Sequence, residues 1–303
     1  MTRRRWHRGG GSFVAFALLL FAVSAAHAGP RCVAPGRHPE SIVAINQFAE
    51  NRPPQPIAPG RGRCGWGIGL ALTGVDTGTA FIVANRREVA TTLHVVDRDC
   101  THRRRFTFSH GYDRGRTRST ETATVVARGD YCAKLARGRH DYGGDWAIAV
   151  LDRDPLTVEP PVSGKETLPL EPGPGRREDN GRYYLLGYGM AIGSGGELYR
   201  SAPCRLGKHF GSGVVEHDCD AGHRGSGAPI VTEDTPGACV VVAMHDGEIA
   251  EEPGRPPYRA GANANVAVLA SGFAAAARQV ARELDEGLNA DEIAADLARD
   301  PAR

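Results

Sequence analysis

The sequence predicts an all-β protein of two antiparallel barrels followed by C-terminal helices, and three observations carry this prediction. Among 303 residues there are 39 glycines and 20 prolines, and only 7% are aromatic, which favours many turns and short strands. Short segments rich in β-branched residues follow one another from Ile68, separated by polar or glycine turns. A proline-rich break divides these segments into two sets.

Residues 1–28 have the features of a secretory signal peptide. Four arginines precede a largely apolar run over 13–26, too short for a membrane-spanning helix, and Ala26-His27-Ala28 fits a cleavage site. Removing this segment changes the formal net charge from +2 to −2, so the basic composition gives no support for nucleic-acid binding. We expect an exported protein, secreted or periplasmic, with no stable membrane anchor.

Seven cysteines follow the signal peptide. Export places them in an oxidising compartment, where disulfides form, and the odd number leaves at least one thiol without a partner inside the chain. Cys239 begins an apolar strand and is the candidate for a buried free thiol. The cysteines are at positions 32, 64, 100, 132, 204, 219 and 239.

The remaining boundaries follow from composition. The segment over 29–63 is rich in Pro, Gly and Arg and is either an N-terminal arm or a propeptide; Ser41–Phe48 within it is a possible first strand. Proline is excluded from central strands, so the prolines over 155–181 indicate a linker. We expect the first barrel over 64–154, the second over 182–271 and C-terminal helices over 272–303.

Within each barrel the strand segments can be placed. The first set is predicted over 68–73, 79–83, 89–92, 122–126 and 146–151. The second set is predicted over 182–188, around Cys204, and over 228–231, 240–245 and 263–269. An arginine-rich stretch between Asp97 and Thr120 is predicted to be a solvated loop.

Two helices are predicted at the C-terminus. Ala274–Glu286 is alanine-rich, with apolar residues at helical spacing, and Gly287 is a stop signal. Asn289 can cap a second helix, with Glu292 at the capping-box position.

Three residues in the order His94, Asp145, Ser226 form a candidate catalytic triad. Ser226 lies between two glycines, which allow its hydroxyl to be exposed on a tight turn. His94 can act as the base, because an imidazole titrates near neutral pH. Asp145, at the start of an apolar strand, can hold the imidazole. Because His94 and Asp145 fall in the first predicted barrel and Ser226 in the second, the triad would assemble only in the cleft between them.

The order of the three residues along the chain distinguishes between the known classes of catalytic triad. Intervals of 51 and 81 residues in the order His, Asp, Ser match the chymotrypsin template, whereas subtilisins and α/β-hydrolases use other orders. A hydrolase triad of Ser226, Asp234 and His245 would span only 19 residues, too few for the intervening elements. Arg224 and Ala228 also stand where a nucleophile elbow needs glycines.

At this point a family resemblance becomes clear. Four segments resemble the signature blocks of bacterial trypsin-like (chymotrypsin-fold) serine endopeptidases, and Cys204 with Asp218-Cys219-Asp220 is similar to their secreted, glutamyl-endopeptidase-like branch. The resemblance covers roughly residues 60–272. It implies two six-stranded barrels, a polypeptide substrate, an acyl-enzyme intermediate and no cofactor or metal, and we expect a monomer. The four segments are Gly78–Ile82, Thr91–Val96, Asp145–Leu151 and Gly225–Ile230.

The resemblance also assigns supporting residues. The backbone N–H groups of Arg224 and Ser226 would form the oxyanion hole, although the family usually has glycine where this chain has Arg224. Cys204 and Cys219 would form a disulfide near the nucleophile. For substrate binding, Asp220 stands where trypsin-like enzymes receive Lys or Arg, and His245 resembles the histidine that receives Glu. These two assignments predict opposite substrates, and the sequence leaves both open.

Rival functions remain at this stage. Arg224 is the main support for an inactive homologue that acts as a binding module, and an esterase-like hydrolase with the same triad is a second rival. A zinc site at His217, Cys219 and His223 lacks a fourth ligand at the usual spacing, and the resemblance uses Cys219 in the disulfide instead.

Overall fold

The structure, a computed structural model, describes residues 32–33, 55–56, 65–74, 76–137, 142–155, 183–188, 196–221, 224–235, 238–250 and 263–299. The predicted signal peptide, the segment over 41–48 and nearly all of the proline-rich linker lie outside the described residues. Among the helices of these described ranges, none is long and apolar enough to cross a membrane.

The first barrel is closed by six antiparallel strands. Two short strands precede it in the chain, β1 (Cys32–Val33) and β2 (Gln55–Pro56). The barrel strands are β3 (Ile68–Leu72), β4 (Thr77–Ile82), β5 (Glu88–Thr91), β6 (Arg105–His110), β7 (Ser119–Arg128) and β8 (Ala147–Leu151). They pair in the order β3-β4-β5-β8-β7-β6, and β6 returns to β3. Ile82, Phe108 and Leu151 are fully buried within this barrel.

Strand β6 corrects one prediction, because it lies in the stretch that was expected to be a solvated loop. Phe106 and Phe108 are buried, while Arg105, the last residue of the arginine run and the first residue of β6, is exposed. The arginines at 103–105 obscured the alternation of buried and outward residues that begins at Arg105. The prediction of a loop there was therefore wrong.

The second half of the chain forms a larger antiparallel sheet. Its strands are β9 (Tyr183–Gly187), β10 (Tyr199–Arg200), β11 (Leu206–Phe210), β12 (Val214–His217), β13 (Pro229–Thr235), β14 (Ala238–Ala250) and β15 (Asn263–Leu269). The order is β11-β12-β15-β14-β13-β9-β10-β2, and β1 pairs with β14. The all-β class, with a closed six-strand barrel and a second antiparallel sheet, is confirmed. The second sheet has nine strands in the described residues, because β1 and β2 of the N-terminal segment and the short β10 join it.

Two disulfides connect described segments. Cys204 and Cys219, the pair that the family resemblance implies, are bonded at 2.02 Å. Cys100 is bonded to Cys132, a pairing that the sequence left open. The side chain of Cys239 lies outside the described residues.

Two short helices, α1 (Leu93–Asp97) and α2 (Tyr131–Leu135), flank the first barrel, and two longer helices end the chain. The latter are α3 (Ala274–Asp285) and α4 (Ala290–Arg299). The predicted capping box at α4 is confirmed: the Asn289 side chain accepts the Glu292 N–H at 3.1 Å, and the Glu292 carboxylate accepts the Asn289 N–H at 2.8 Å.

One hydrophobic cluster joins the first barrel, the second sheet and the C-terminal helices. It includes Ile68 from the first barrel, Val231 and Val268 from the second sheet, and Val280 and Ile293 from α3 and α4. All are 0 or 1% exposed. The helices therefore help to hold together the two halves between which the candidate site lies.

We expect Asn289→Ala to lower the free energy of unfolding by about 1 kcal/mol, because it removes the side-chain acceptor for the Asp291 and Glu292 N–H groups. Urea denaturation measures this change. Asn289→Ser, which keeps a capping oxygen, is the matched control and should lose little. Equal losses in both variants would show that the cap does not stabilise the C-terminal helices.

Candidate active site

His94 lies in the first turn of α1, directly after strand β5. Leu93, Val95 and Val96 bury their side chains in the first barrel, which fixes this short helix against the core. The His94 side chain is itself nearly buried, with 7% of the residue exposed. The apolar neighbours in the Thr-Thr-Leu-His-Val-Val segment thus set the direction of the imidazole.

Asp145 holds His94 at two points. It follows a 3₁₀ turn over Tyr142–Gly144 and precedes β8. Its Oδ2 atom lies 2.8 Å from His94 Nδ1, and its Oδ1 atom accepts the backbone N–H of His94 at 2.9 Å. One carboxylate therefore fixes both the ring and the backbone of the histidine.

Ser226 lies on the loop between β12 and β13, and this loop is fastened to the first barrel by Thr79 of β4. The Thr79 N–H donates to the Ser226 carbonyl at 2.8 Å, and the Thr79 hydroxyl donates to the Arg224 carbonyl at 3.2 Å. Gly227 has a φ of +85°, and a Cβ there would lie 2.0 Å from the Thr79 carbonyl oxygen. Glycine is thus required for this close approach.

The Ser226 hydroxyl donates to the backbone carbonyl of Asp246 at 3.0 Å. Within the described part of the chain it makes no hydrogen bond to His94. A rotation about one side-chain bond would redirect it, and catalytic hydrogen bonds are often incomplete before substrate binds. The structure thus brings His94 and Asp145 into contact and leaves the third bond of the predicted triad unmade.

Arg224 occupies the left-handed backbone region, with φ of +72°. A residue other than glycine pays roughly 1–2 kcal/mol for this conformation. The sequence left open whether arginine could take the place of the family's usual glycine, and the backbone here adopts a conformation of the kind that glycine favours. The preceding residues, Gly222 and His223, lie outside the described residues.

Asp246 is a site residue that sequence reasoning missed. Its carboxylate is fully buried, and Oδ1 lies 3.3 Å from His94 Nδ1. It falls at an irregularity in the pairing of β14 with β15, between His245 and Gly247. The only sequence signal was its place next to His245, and nothing in the pattern related it to a histidine 152 positions earlier.

The two carboxylates determine the titration of His94. Burial lowers the pKa of His94, but the neighbouring carboxylates of Asp145 and Asp246 outweigh burial and raise that pKa to about 10. Burial and the charge of Asp145 raise the pKa of Asp246 well above its usual range. The site therefore stabilises a positive charge on the imidazole.

The candidate specificity residues are both buried. Asp220 is 2% exposed, and its carbonyl accepts the Tyr199 hydroxyl at 3.4 Å. His245 Nδ1 lies 3.0 Å from Nε2 of His217, with the two rings nearly perpendicular. Burial, together with charge on a neighbouring histidine, lowers the pKa of His217 well below its usual range and that of His245 to about 3. Both imidazoles are thus neutral at physiological pH.

We assign no metal site among the described residues. The sulfur of Cys219 is bonded to Cys204, so it cannot serve the zinc site considered from the sequence. The ligand atoms of His94, Asp145 and Asp246 lie within 4.8 Å of one another, a spacing that would suit a cation. The Nδ1 atom that a cation would need is already hydrogen-bonded to Asp145, however, so we assign no metal there.

A closed six-strand barrel, a second antiparallel sheet and a serine loop attached to that barrel, together with the Asp145–His94 pair, define the class of serine-type, trypsin-like endopeptidases. The chain belongs to the trypsin-like peptidase family, because the model described as "Trypsin-like peptidase domain" matches residues 78–243, more than half of the chain. This match includes His94, Asp145 and Ser226 and ends before His245 and Asp246. No curated protein matches the chain.

Solved structures show the same fold at low sequence identity. The thermostable serine protease AL20 from an extremophilic microorganism is 20% identical, with a TM-score of 0.50, over 71% of this chain and 97% of its own. The protease Anisep from Arthrobacter nicotinovorans is 16% identical, with a TM-score of 0.53, over 74% and 99%. A Glu endopeptidase in complex with MPD is 13% identical, with a TM-score of 0.54, over 78% and 100%.

We expect Arg224→Gly to raise the free energy of unfolding by up to about 1 kcal/mol, because relief of the left-handed strain exceeds the entropy cost of glycine. Arg224→Val should lower it, since a β-branched residue resists positive φ. Urea denaturation measures both.

The matched control for this strain is Arg114→Gly. Arg114 also has a positive φ, of 47°, and its side chain is 75% exposed and forms an ion pair with Glu197. Because an exposed ion pair contributes little, a comparable gain in Arg114→Gly would assign the effect to the backbone. A loss of stability in Arg224→Gly would show that the arginine side chain, and not the backbone, holds the loop.

Proposed function

We propose that this chain is an exported serine endopeptidase whose catalytic triad is His94, Asp145 and Ser226. The observation that carries the proposal is the double contact of Asp145 with His94, at 2.8 Å to Nδ1 and 2.9 Å to the backbone N–H. This contact supports a tautomer with the proton on Nδ1, which leaves Nε2 free to accept a proton from serine. Family membership favours this activity over the rival reading of an inactive binding module.

The reaction follows from these positions. Ser226 turns its hydroxyl from the Asp246 carbonyl toward His94 and attacks the scissile carbonyl carbon, while its proton passes to His94 Nε2. The backbone N–H groups of Ser226 and Arg224 donate hydrogen bonds to the negatively charged oxygen of the tetrahedral intermediate. His94 then gives its proton to the leaving amine as the C–N bond breaks, and water hydrolyses the acyl-enzyme by the same steps.

We propose that residues 1–28 are removed on export and that 29–63 form an arm of the folded protein. Pairing of Cys32 with Ile249 and of Gln55 with Arg200 supports an arm over a discarded propeptide. Two disulfides are compatible with an extracellular or periplasmic location. We propose that the two barrels extend over 64–154 and 182–271. We also propose that the protein is a monomer and binds its polypeptide substrate between the two barrels.

For substrate preference we propose glutamate on the amino side of the cleaved bond. The pair of buried, neutral imidazoles supports it: when His217 Nε2–H donates to His245 Nδ1, His245 keeps its own proton on Nε2 and can donate it to a carboxylate. Asp220 is the rival determinant and would favour Lys or Arg. On this proposal Asp220 orders the loop beside the Cys204–Cys219 disulfide, where its carbonyl accepts a hydroxyl from Tyr199.

We expect a fluorophosphonate probe to label the folded protein at Ser226, and Ser226→Ala to show no labelling. Intact mass and peptide mapping detect the adduct. Because the pKa of His94 is raised to about 10 and attack needs the neutral imidazole, the labelling rate should rise with pH from neutral into the alkaline range. A folded, disulfide-bonded sample that is never labelled would contradict the proposed activity.

We expect a peptide library to be cleaved after glutamate, and His245→Ala to lower kcat/KM for the glutamate substrate about 10²-fold. A hydrogen bond to a charged group contributes about 1.5–3 kcal/mol, which corresponds to that loss. His209→Ala is the control, because His209 is exposed on β11. Cleavage after Lys or Arg that is abolished by Asp220→Asn would instead assign specificity to Asp220.

A further inference from the structure

Asp246 presents a carboxylate whose burial needs an explanation. Neither of its carboxylate oxygens has a hydrogen-bond partner among the described residues, and the residue is 0% exposed. Burying an unsatisfied polar group costs free energy, and burying an unpaired charge costs more. The backbone of Asp246 already serves Ser226 through its carbonyl, and any residue could supply that carbonyl. The side chain therefore has a separate role.

The nearest charged atom that could explain this side chain belongs to His94. Asp246 Oδ1 lies 3.3 Å from Nδ1, against 2.8 Å for Asp145 Oδ2. A ring N–H points along one direction, so the shorter contact takes the hydrogen bond and Asp246 stands beside it as a second acceptor within reach. Both carboxylates thus face the same nitrogen of the imidazole, Asp145 from the segment before β8 and Asp246 from β14.

The pairing irregularity in β14 is what turns Asp246 toward His94. His245 pairs with Ala267 and Gly247 with Val266, so Asp246 is the extra residue between two successive pairs. An extra residue of this kind redirects a side chain, and such irregularities are frequent beside active sites.

We propose that Asp246 is a positioning residue for the reaction: it holds the His94 imidazole together with Asp145, and it accepts the hydrogen bond from the His94 Nδ1–H group when Asp145 cannot. The inference rests on the proposed triad. During attack the proton of Ser226 moves to His94 Nε2 as the Oγ–carbon bond forms, the Nδ1 proton stays in place, and the two carboxylates share the task of holding the imidazolium.

Several titratable groups lie near the Asp246 carboxylate, and replacing Asp246 would change the electrostatic environment of each. Tyr131 on α2 lies near enough to both carboxylates for their charges to raise the pKa of its hydroxyl, after the larger effect of burial. Around the cluster, the titratable groups that face it are His94 on α1, Asp145 before β8, Tyr131 on α2 with Arg98 beyond it, and His245 on the same strand.

A double-mutant cycle tests the proposal. In the single-carboxylate template, replacing the aspartate with asparagine lowers kcat about 10⁴-fold. Here we expect Asp145→Asn to lower kcat about 10²-fold, because Asp246 remains as a hydrogen-bond acceptor. We expect Asp246→Asn to lower kcat about 10-fold with KM unchanged. The double variant should lower kcat by more than the product of these two factors. General acid–base contributions of 10²–10⁴-fold set these magnitudes.

The control for the cycle is Glu88→Gln. Glu88 is also fully buried, its carboxylate oxygens also have no hydrogen-bond partner in the described residues, and it lies on β5 away from His94. It should leave kcat unchanged. Asp246→Ser provides a second neutral replacement, and thermal unfolding monitored by circular dichroism excludes variants that do not fold. All samples contain a chelator, so no cation replaces the Nδ1 proton.

A readout independent of activity completes the test. In a Ser226→Ala background, ¹H–¹⁵N spectra follow the titration of His94, and we expect Asp246→Asn to lower its pKa by about 1 or more, as loss of a nearby carboxylate does. An unchanged pKa, or an Asp145→Asn loss of about 10⁴-fold that the second substitution does not deepen, would overturn the role of Asp246. Failure of the wild type to be labelled would count against the triad instead.

Discussion

The hydrogen bonds of Thr79 connect the two halves of the candidate active site. Its backbone N–H binds the Ser226 carbonyl at 2.8 Å, and its hydroxyl both donates to the Arg224 carbonyl and accepts the Tyr188 N–H. Its carbonyl receives the Thr91 hydroxyl at 2.8 Å and leaves space beside it only for a glycine. One fully buried residue of the first barrel thereby fixes where the second sheet holds its serine.

The strained and charged groups of the site depend on this connection. Arg224 keeps a left-handed backbone, and two carboxylates face one imidazole without solvent to screen them. Such arrangements persist where the surrounding structure over-determines them. The hydrophobic cluster shared by both halves and by α3 and α4 supplies that constraint. Packing in this cluster therefore stabilises the strained backbone of Arg224 and the close approach of the two carboxylates to His94.

Local signals in the sequence predicted a large part of this arrangement. His94, Asp145 and Ser226 each carry a recognisable neighbourhood, and their order is sufficient to relate them to one template. The capping residues of α4 act within one turn, so the sequence predicted them as well.

What the sequence could not predict depends on distant parts of the chain. The role of Asp246 needs a pairing irregularity and a contact across 152 positions. The backbone angle of Arg224 follows from the loop's attachment to Thr79 and not from its own residue type. The partner of Cys100 is decided by where α2 packs, which no cysteine spacing specifies.

The pairing of β1 with β14 has a consequence for how the chain folds. Cys32 lies opposite Ile249, so the first described strand cannot find its neighbour until almost the whole chain is available. Contacts between residues so distant in sequence slow folding, because the loop must close before the contact stabilises it. A chain of this topology therefore keeps its N-terminal strand unpaired throughout most of its synthesis, until β14 has been made.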